Sequence, residues 1–221
     1  MDRETETRPS IGIGVTTTPN RKEYIEEWLE YFQKVKPKNY HLHIHEDVHY
    51  KGVAYSKNQN LKTLHDCDYI FLFDDDCYPI KEGWDEYFIN SKQNHLLFLN
   101  KKHNKIIVQG EVEIYNDCGG VFMFLTKDVL NKVGYLNSEY GQYGFEHAGY
   151  SNRIYRAGFT YAPYQHLKDT KEYLYAKDYN IEHKSSIPEY KKAKLIEENR
   201  KVFINELQSH KIFYNFEEVI K

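Results

Sequence analysis

The sequence predicts an α/β fold: a mostly parallel central sheet with helices on both faces and a small antiparallel part in the second half. Three observations carry this. Strand-like apolar runs alternate with helical patterns through the first half of the chain. One such run, residues 68–73 (DYIFLF), stops abruptly in Asp74-Asp75-Asp76. The second half is richer in short strand-like runs than in helical ones.

Residues 11–15 form a short apolar run that ends in Thr16-Thr17-Thr18-Pro19-Asn20, a first buried strand feeding a polar loop. Ile25, Trp28, Leu29 and Phe32 then follow helical spacing. Residues 40–47 alternate, with Leu42 and Ile44 on one face and His41, His43 and His45 on the other, and close in Glu46-Asp47. Residues 54–66 read as a helix, 68–73 as a buried strand and 82–93 as a helix. Residues 96–99 and 106–115 read as two strands about a turn at 100–105, and 121–125 as a further strand. Short helices are expected over 128–133, ending at Gly134, and over 146–157, ending at Gly158. A late amphipathic helix spans 188–208 with Pro188 near its start. Residues 1–9 are polar and are expected to be disordered.

The chain has 221 residues, enough for one domain with a sizeable core, and no repeat or linker divides it. Its net charge of -3 argues against a dedicated duplex-DNA binder, which carries a basic stripe. Cys67, Cys77 and Cys118 are odd in number and lack zinc-site spacing, so reduced, partly buried thiols are expected. The first residues hold no apolar h-region and no stretch approaches a membrane span, so the expected location is cytoplasmic. The 21 tyrosines offer aromatic faces of the kind that stack on sugars and bases, although compositional bias accounts for them equally well.

The acidic triplet carries the chemistry. Neighbouring carboxylates repel, and their burial needs a compensating cation. Aspartate oxygens suit hard divalent ions such as Mg²⁺ and Mn²⁺. Open α/β sheets bind ligands beyond the carboxyl ends of their strands, where these residues fall. A solvated acidic turn is the plain alternative.

Residues 68–79, from Asp68 through Asp74-Asp75-Asp76 to Pro79, resemble the DxD region of GT-A glycosyltransferases, which have a Rossmann-like domain, and family 2 in particular. The resemblance runs from about residue 11 to about residue 162. It implies a nucleotide-binding half over 10–116, an acceptor and catalytic half over 117–187, and a C-terminal helix and tail over 188–221. Asp76 becomes the principal ligand of Mn²⁺ or Mg²⁺, with Asp74 and Asp75 as ribose contacts or support for the metal ligand. Thr16, Thr17 and Thr18 match the loop on which the nucleotide base rests, and Glu46-Asp47 the acids that accept from uracil N3–H. Lys57 and Asn58, in the stretch from Gly52, are similar to the GxxxARN segment, with lysine in place of arginine. Gly119 and Gly120 resemble the glycine segment lining the donor sugar.

Residues 143–153, with Gly144, Glu146, Asn152 and Arg153, look like the WGxED…NR segment of galactosyltransferase-like members. There the residue after the glutamate is an aspartate that acts as base. Here it is His147, so both Glu146 and His147 are candidate bases. His183 resembles a late histidine ligand of the metal, Asp74 is the other added ligand, and Lys184 or Ser185 matches a diphosphate contact. The implied activity is transfer of a hexose from a nucleotide diphosphate sugar, with UDP expected, to an acceptor hydroxyl with inversion. A glycan or lipid-linked acceptor is expected, with modified viral DNA or protein as further acceptor classes. Two other readings stay open at this point. One is a nucleotidyltransferase, which would want a glycine-rich phosphate loop that residues 16–18 do not provide. The other is a non-catalytic carbohydrate- or nucleotide-sugar-binding protein with a degenerate GT-A fold.

Overall fold

The computed structural model describes residues 9–99, 104–177 and 187–220. The expected tail over residues 1–9 lies, apart from its last position, outside the described residues, as do His183, Lys184 and Ser185.

Among the described residues, eight strands form the main sheet in the order β2-β1-β3-β8-β5-β9-β7-β6. The left half is parallel: β1 (Ile11–Thr17) lies between β2 (His41–Glu46) and β3 (Tyr69–Asp74) and pairs in parallel with both. β8 (Phe122–Thr126) runs antiparallel to β3 and to β5 (His95–Leu97). β9 (Tyr164–Leu167) returns parallel to β5, and β7 (Val112–Tyr115) and β6 (Lys105–Gln109) finish the sheet as an antiparallel pair. Only β8 and β7 oppose the common direction, so the sheet is mostly parallel, with its antiparallel pairings from β8 onward. A second sheet pairs β4 (Cys77–Pro79) with β10 (Leu174–Ala176).

Period-two alternation sorts the core into two layers. Ile11, Ile13, Val15, Phe71, Phe73, Phe122 and Phe124 face Trp28 and Phe32 of α1 (Lys22–Val35) and Trp84 and Phe88 of α3 (Trp84–Asn90). Ile70, Leu72, Met123 and Leu125 face the other side. There they meet Leu61 of α2 (Val53–Thr63), Val129 of α4 (Lys127–Val133), and Tyr150 and Ile154 of α5 (Glu146–Arg156). The glycines of β1 belong to this second face. A Cβ on Gly14 would stand 2.7 Å from the Cβ of Asn60, so the small residue lets α2 lie directly on the strand. α6 (Glu189–Gln208) and α7 (Phe216–Val219) complete the described chain. No helix among the described residues is long and apolar enough to cross a membrane.

Residues 106–115, expected as one strand, are a hairpin: β6 and β7 turn at Gly110-Glu111. Uniform β-propensity across the stretch conceals the break, and Gly110 (φ 62°) marks it. β4, β9 and β10 were not anticipated. Each is four residues or fewer, too short for a periodic signal.

Candidate active site

Parallel pairing brings distant residues together at the carboxyl ends of β1 and β3. Thr16 lies opposite Asp74 in the register. Its hydroxyl donates to Asp74 Oδ1 at 3.0 Å, and Thr17 donates to Asp75 Oδ2 at 2.6 Å. The backbone N–H of Asp75 in turn donates to Thr16 O at 3.2 Å. The threonines thus hold the first part of the triplet in a defined orientation.

Among the described residues, Lys57 and Arg21 compensate the triplet. Lys57, fully buried on α2, places Nζ 2.6 Å from Asp74 Oδ1. Arg21 ends the 3-10 turn Pro19–Arg21 that follows β1. It grips Asp75 with a fork: Nε lies 2.8 Å from Oδ1 and 3.0 Å from Oδ2, and Nη2 lies 2.6 Å from Oδ1. Nη2 also reaches Asp76 Oδ2 at 3.0 Å, and the guanidinium carbon sits 4.0 Å above the Tyr24 ring. Burial opposes the charge on Arg21, but its bonds to Asp75 and the charges of Asp75 and Asp76 raise its pKa above the ordinary value. Burial pushes the Asp75 carboxyl up to about 6 against the opposite pull of Arg21 and Thr17. Arg21 was missed in the sequence. Its only signal there is a basic residue in the polar loop after the first strand.

A cavity of about 260 Å³ opens on this cluster. Thr16, Thr17, Thr18, Arg21, Asp47, Asp74, Asp75 and Asp76 line it from the sheet side, and Gln142, Tyr143, Pro188 and Lys191 from the other. Asp47 is fixed by its N–H to Thr17 O (2.9 Å) and by accepting the Gly52 N–H on Oδ2 (2.7 Å). The far wall depends on α6. Asn199 donates to Tyr140 O and Tyr143 O, and buried Glu206 pairs with Arg153 Nε at 2.7 Å and accepts from the Tyr140 hydroxyl. Arg153, expected as part of a family segment, is therefore a structural anchor. Its other nitrogens donate to Val133 O, Ile212 O and Tyr135 O.

Glu146 and His147 open α5 and are both buried. His147 Nδ1 lies 3.0 Å from Glu146 Oε1. Glu146 Oε2 and His147 Nε2 are buried with no hydrogen-bond partner among the described residues, which is costly unless a further group completes them. Burial opposes ionisation of Glu146, yet His147 and then the charge of Lys57 hold its carboxyl below the usual range. Lys57 therefore acts on the triplet and on this pair alike. Gly120 is the floor of the imidazole: a Cβ there would lie 2.0 Å from His147 Nδ1.

Several expected site residues are not in the cavity lining. Glu46 ends β2 exposed and, like Lys57, Gly119, Gly120, Glu146 and His147, does not line the cavity. Asn58 is fully buried and spends its amide on Leu136, donating to its carbonyl (2.9 Å) and accepting its N–H (2.8 Å). It clips α2 to the segment before residue 137, because a buried amide between backbone groups is better satisfied there than at an open site. Among the described residues no three His, Cys, Asp or Glu side chains are grouped so as to enclose a metal ion. The described chain offers Asp74 and Asp76 as oxygen donors, a partial set that suits a hard cation completing its shell on a ligand.

No protein-family model and no curated protein matches the chain. Solved structures do. The mannosyltransferase PcManGT from Pyrobaculum calidifontis, in complex with GDP-Man and Mn²⁺, superposes with a TM-score of 0.53 at 12% identity, over 75% of this chain and 56% of its own. The catalytic domain of Drosophila beta1,4galactosyltransferase 7, in complex with xylobiose, gives 0.52 at 14% identity, over 95% and 83%. TarS of S. aureus gives 0.51 at 17% identity, over 90% and 44%. The chain thus spans little more than half of PcManGT and less than half of TarS. The topology and these likenesses agree: the chain has a GT-A glycosyltransferase-like fold.

Proposed function

We propose that the protein is a metal-dependent glycosyltransferase that moves a sugar from a nucleotide diphosphate sugar, UDP-linked, to an acceptor hydroxyl with inversion. The observation that carries this reading is a charge-lined cavity at the carboxyl ends of β1 and β3, bounded by the triplet, on a fold shared with transferases. The GDP-Man and Mn²⁺ bound to PcManGT support a nucleotide sugar and a divalent cation here.

Asp47 offers a carboxylate for the imide N–H of a uracil ring, and Thr16, Thr17 and Thr18 offer the hydroxyl lining beside it. Asp76, with Asp74, holds Mn²⁺ or Mg²⁺. When bound, the ion supplies charge neutralisation for the departing diphosphate. Lys191 lines the same cavity and adds a positive charge that favours the phosphates. His183, Lys184 and Ser185 belong to this reading as a further metal ligand and diphosphate contacts.

The Glu146–His147 pair is the base. Glu146 Oε1, 3.0 Å from His147 Nδ1, orients the ring. His147 Nε2 and Glu146 Oε2 are the two positions assigned to take the acceptor's proton as its oxygen attacks the anomeric carbon. One base and one displacement invert that carbon.

A thermal-shift panel of nucleotide sugars, each with and without Mn²⁺, tests the reading. A ligand bound only by the native state raises the melting temperature. One donor, raising it only when Mn²⁺ is present, is the expected result. A panel in which no nucleotide sugar shifts the transition contradicts it.

A further inference from the structure

We propose that Arg21 is the internal counterion of the acidic triplet and competes with a divalent cation for Asp76. The cation then binds strongly only together with the donor diphosphate. This rests on the metal and donor assignment above and adds the order in which the two ligands can bind.

The argument is one of charge and geometry. Asp74, Asp75 and Asp76 carry three negative charges, and Lys57 and Arg21 return two, each within 3.0 Å of a carboxylate oxygen. The described cluster is therefore nearly neutral, where bare aspartates would draw an ion strongly. The guanidinium is also built in. Its fork fits Asp75 bidentately, a match that lysine could not make, and its face lies on Tyr24. The contact to Asp76 differs: it is a single bond from Nη2 to Oδ2, on the carboxylate assigned to the metal. A divalent ion arriving alone must displace that bond and lie beside the partly buried guanidinium, against its Coulomb repulsion. A diphosphate arriving with the ion reverses the balance. Its charge offsets both cations, and Nη2 can exchange the Asp76 oxygen for a phosphate oxygen while the fork stays on Asp75. Such a site takes up the metal–nucleotide pair and gives both up after transfer, because losing the diphosphate restores the Arg21–Asp76 bond.

The test is Mn²⁺ binding followed by electron paramagnetic resonance, with Mn²⁺ alone and with Mn²⁺ plus UDP. Wild type should bind Mn²⁺ alone weakly, and UDP should tighten it at least tenfold. Arg21→Met should bind Mn²⁺ alone about tenfold more tightly than wild type and gain less from UDP. Because Arg21→Met leaves Asp75 buried without its partner, Arg21→Met/Asp75→Asn is measured beside it. That pair of changes removes one charge of each sign together with the Arg21–Asp76 bond, and it should show the same gain. Unchanged or weaker Mn²⁺ binding in a folded double variant would overturn the proposal. If the variants gain Mn²⁺ affinity but UDP tightens nothing in any form, the Arg21–Asp76 competition stands and the coupling to the donor is refuted.

Discussion

The acidic triplet and the Glu146–His147 pair both place carboxylates largely inside the protein, yet they differ in the partners that hold them. At the triplet Asp74 has Lys57 and Thr16, and Asp75 has Arg21 and Thr17. At the pair, one bond joins the two side chains, and each keeps a buried atom with no hydrogen-bond partner among the described residues. The first arrangement holds the Asp74 and Asp75 carboxylates in place and must exchange partners there to bind anything. The second is incomplete as it stands. Low local dielectric makes a satisfied network rigid and an unsatisfied atom expensive, so the same burial organises one site and primes the other. Lys57 ties them, bonded to Asp74 and lowering the pKa of Glu146.

The contrast can be broken most forcefully by removing one charge from each region. Asp75→Ala leaves the Arg21 fork without its principal partner and should cost about 3 kcal/mol or more in urea denaturation. Glu146→Gln keeps an acceptor for His147 Nδ1–H and removes a buried charge, so its stability should stay within about 1 kcal/mol of wild type. Equal losses would mean that the two regions are not different in kind.

Two buried histidines sharpen the comparison. His95 engages both ring nitrogens, with Phe124 O at 2.9 Å and Ser151 Oγ at 2.8 Å, whereas His147 engages one. Burial pushes the His95 pKa down to about 4, against the raising effect of Phe124 O. Because the folded value lies below the unfolded one, the unfolded chain binds more protons between about pH 6.5 and 4, so stability falls as pH falls through that window. His95 should contribute about 3 kcal/mol to that loss, read as the difference between wild type and His95→Asn in urea midpoints at stepped pH, since the raised Asp75 carboxyl acts in the opposite direction in both proteins. A smaller effect is expected where His147 meets its floor. Gly120→Ala forces the imidazole aside, costing about 1–3 kcal/mol, and should lower turnover while leaving nucleotide affinity intact.

Much of the sheet was legible because its central strands are apolar and alternate cleanly. Ile11, Ile13 and Val15 took one face, and Phe71 and Phe73 joined them. The helix starting at Glu146 was legible from its opening residues and from Gly158 beyond its end. The hairpin at Gly110 was not, since β-branched residues continue on both sides of the turn. Site residues divided along a physical line. Thr16, Thr17, Thr18, Asp47 and the triplet lie at strand ends, where the chain must leave the sheet and side chains face the cavity. Arg21 lies 54 positions from Asp75, and only the parallel pairing of β1 with β3 brings them together. Asn58 shares a helix with Lys57, but one position of helical rotation turns it from the triplet to Leu136.

The most direct test of the account sets turnover beside donor affinity in Glu146→Gln and His147→Ala. Loss of a general base costs about a hundredfold to ten-thousandfold in rate. Transfer from the donor found in the thermal-shift panel should fall by that range in at least one variant, with the donor dissociation constant within about threefold of wild type. The variant with the deeper loss identifies the atom that takes the proton. Near-normal transfer in both variants, with donor binding intact, would contradict the account.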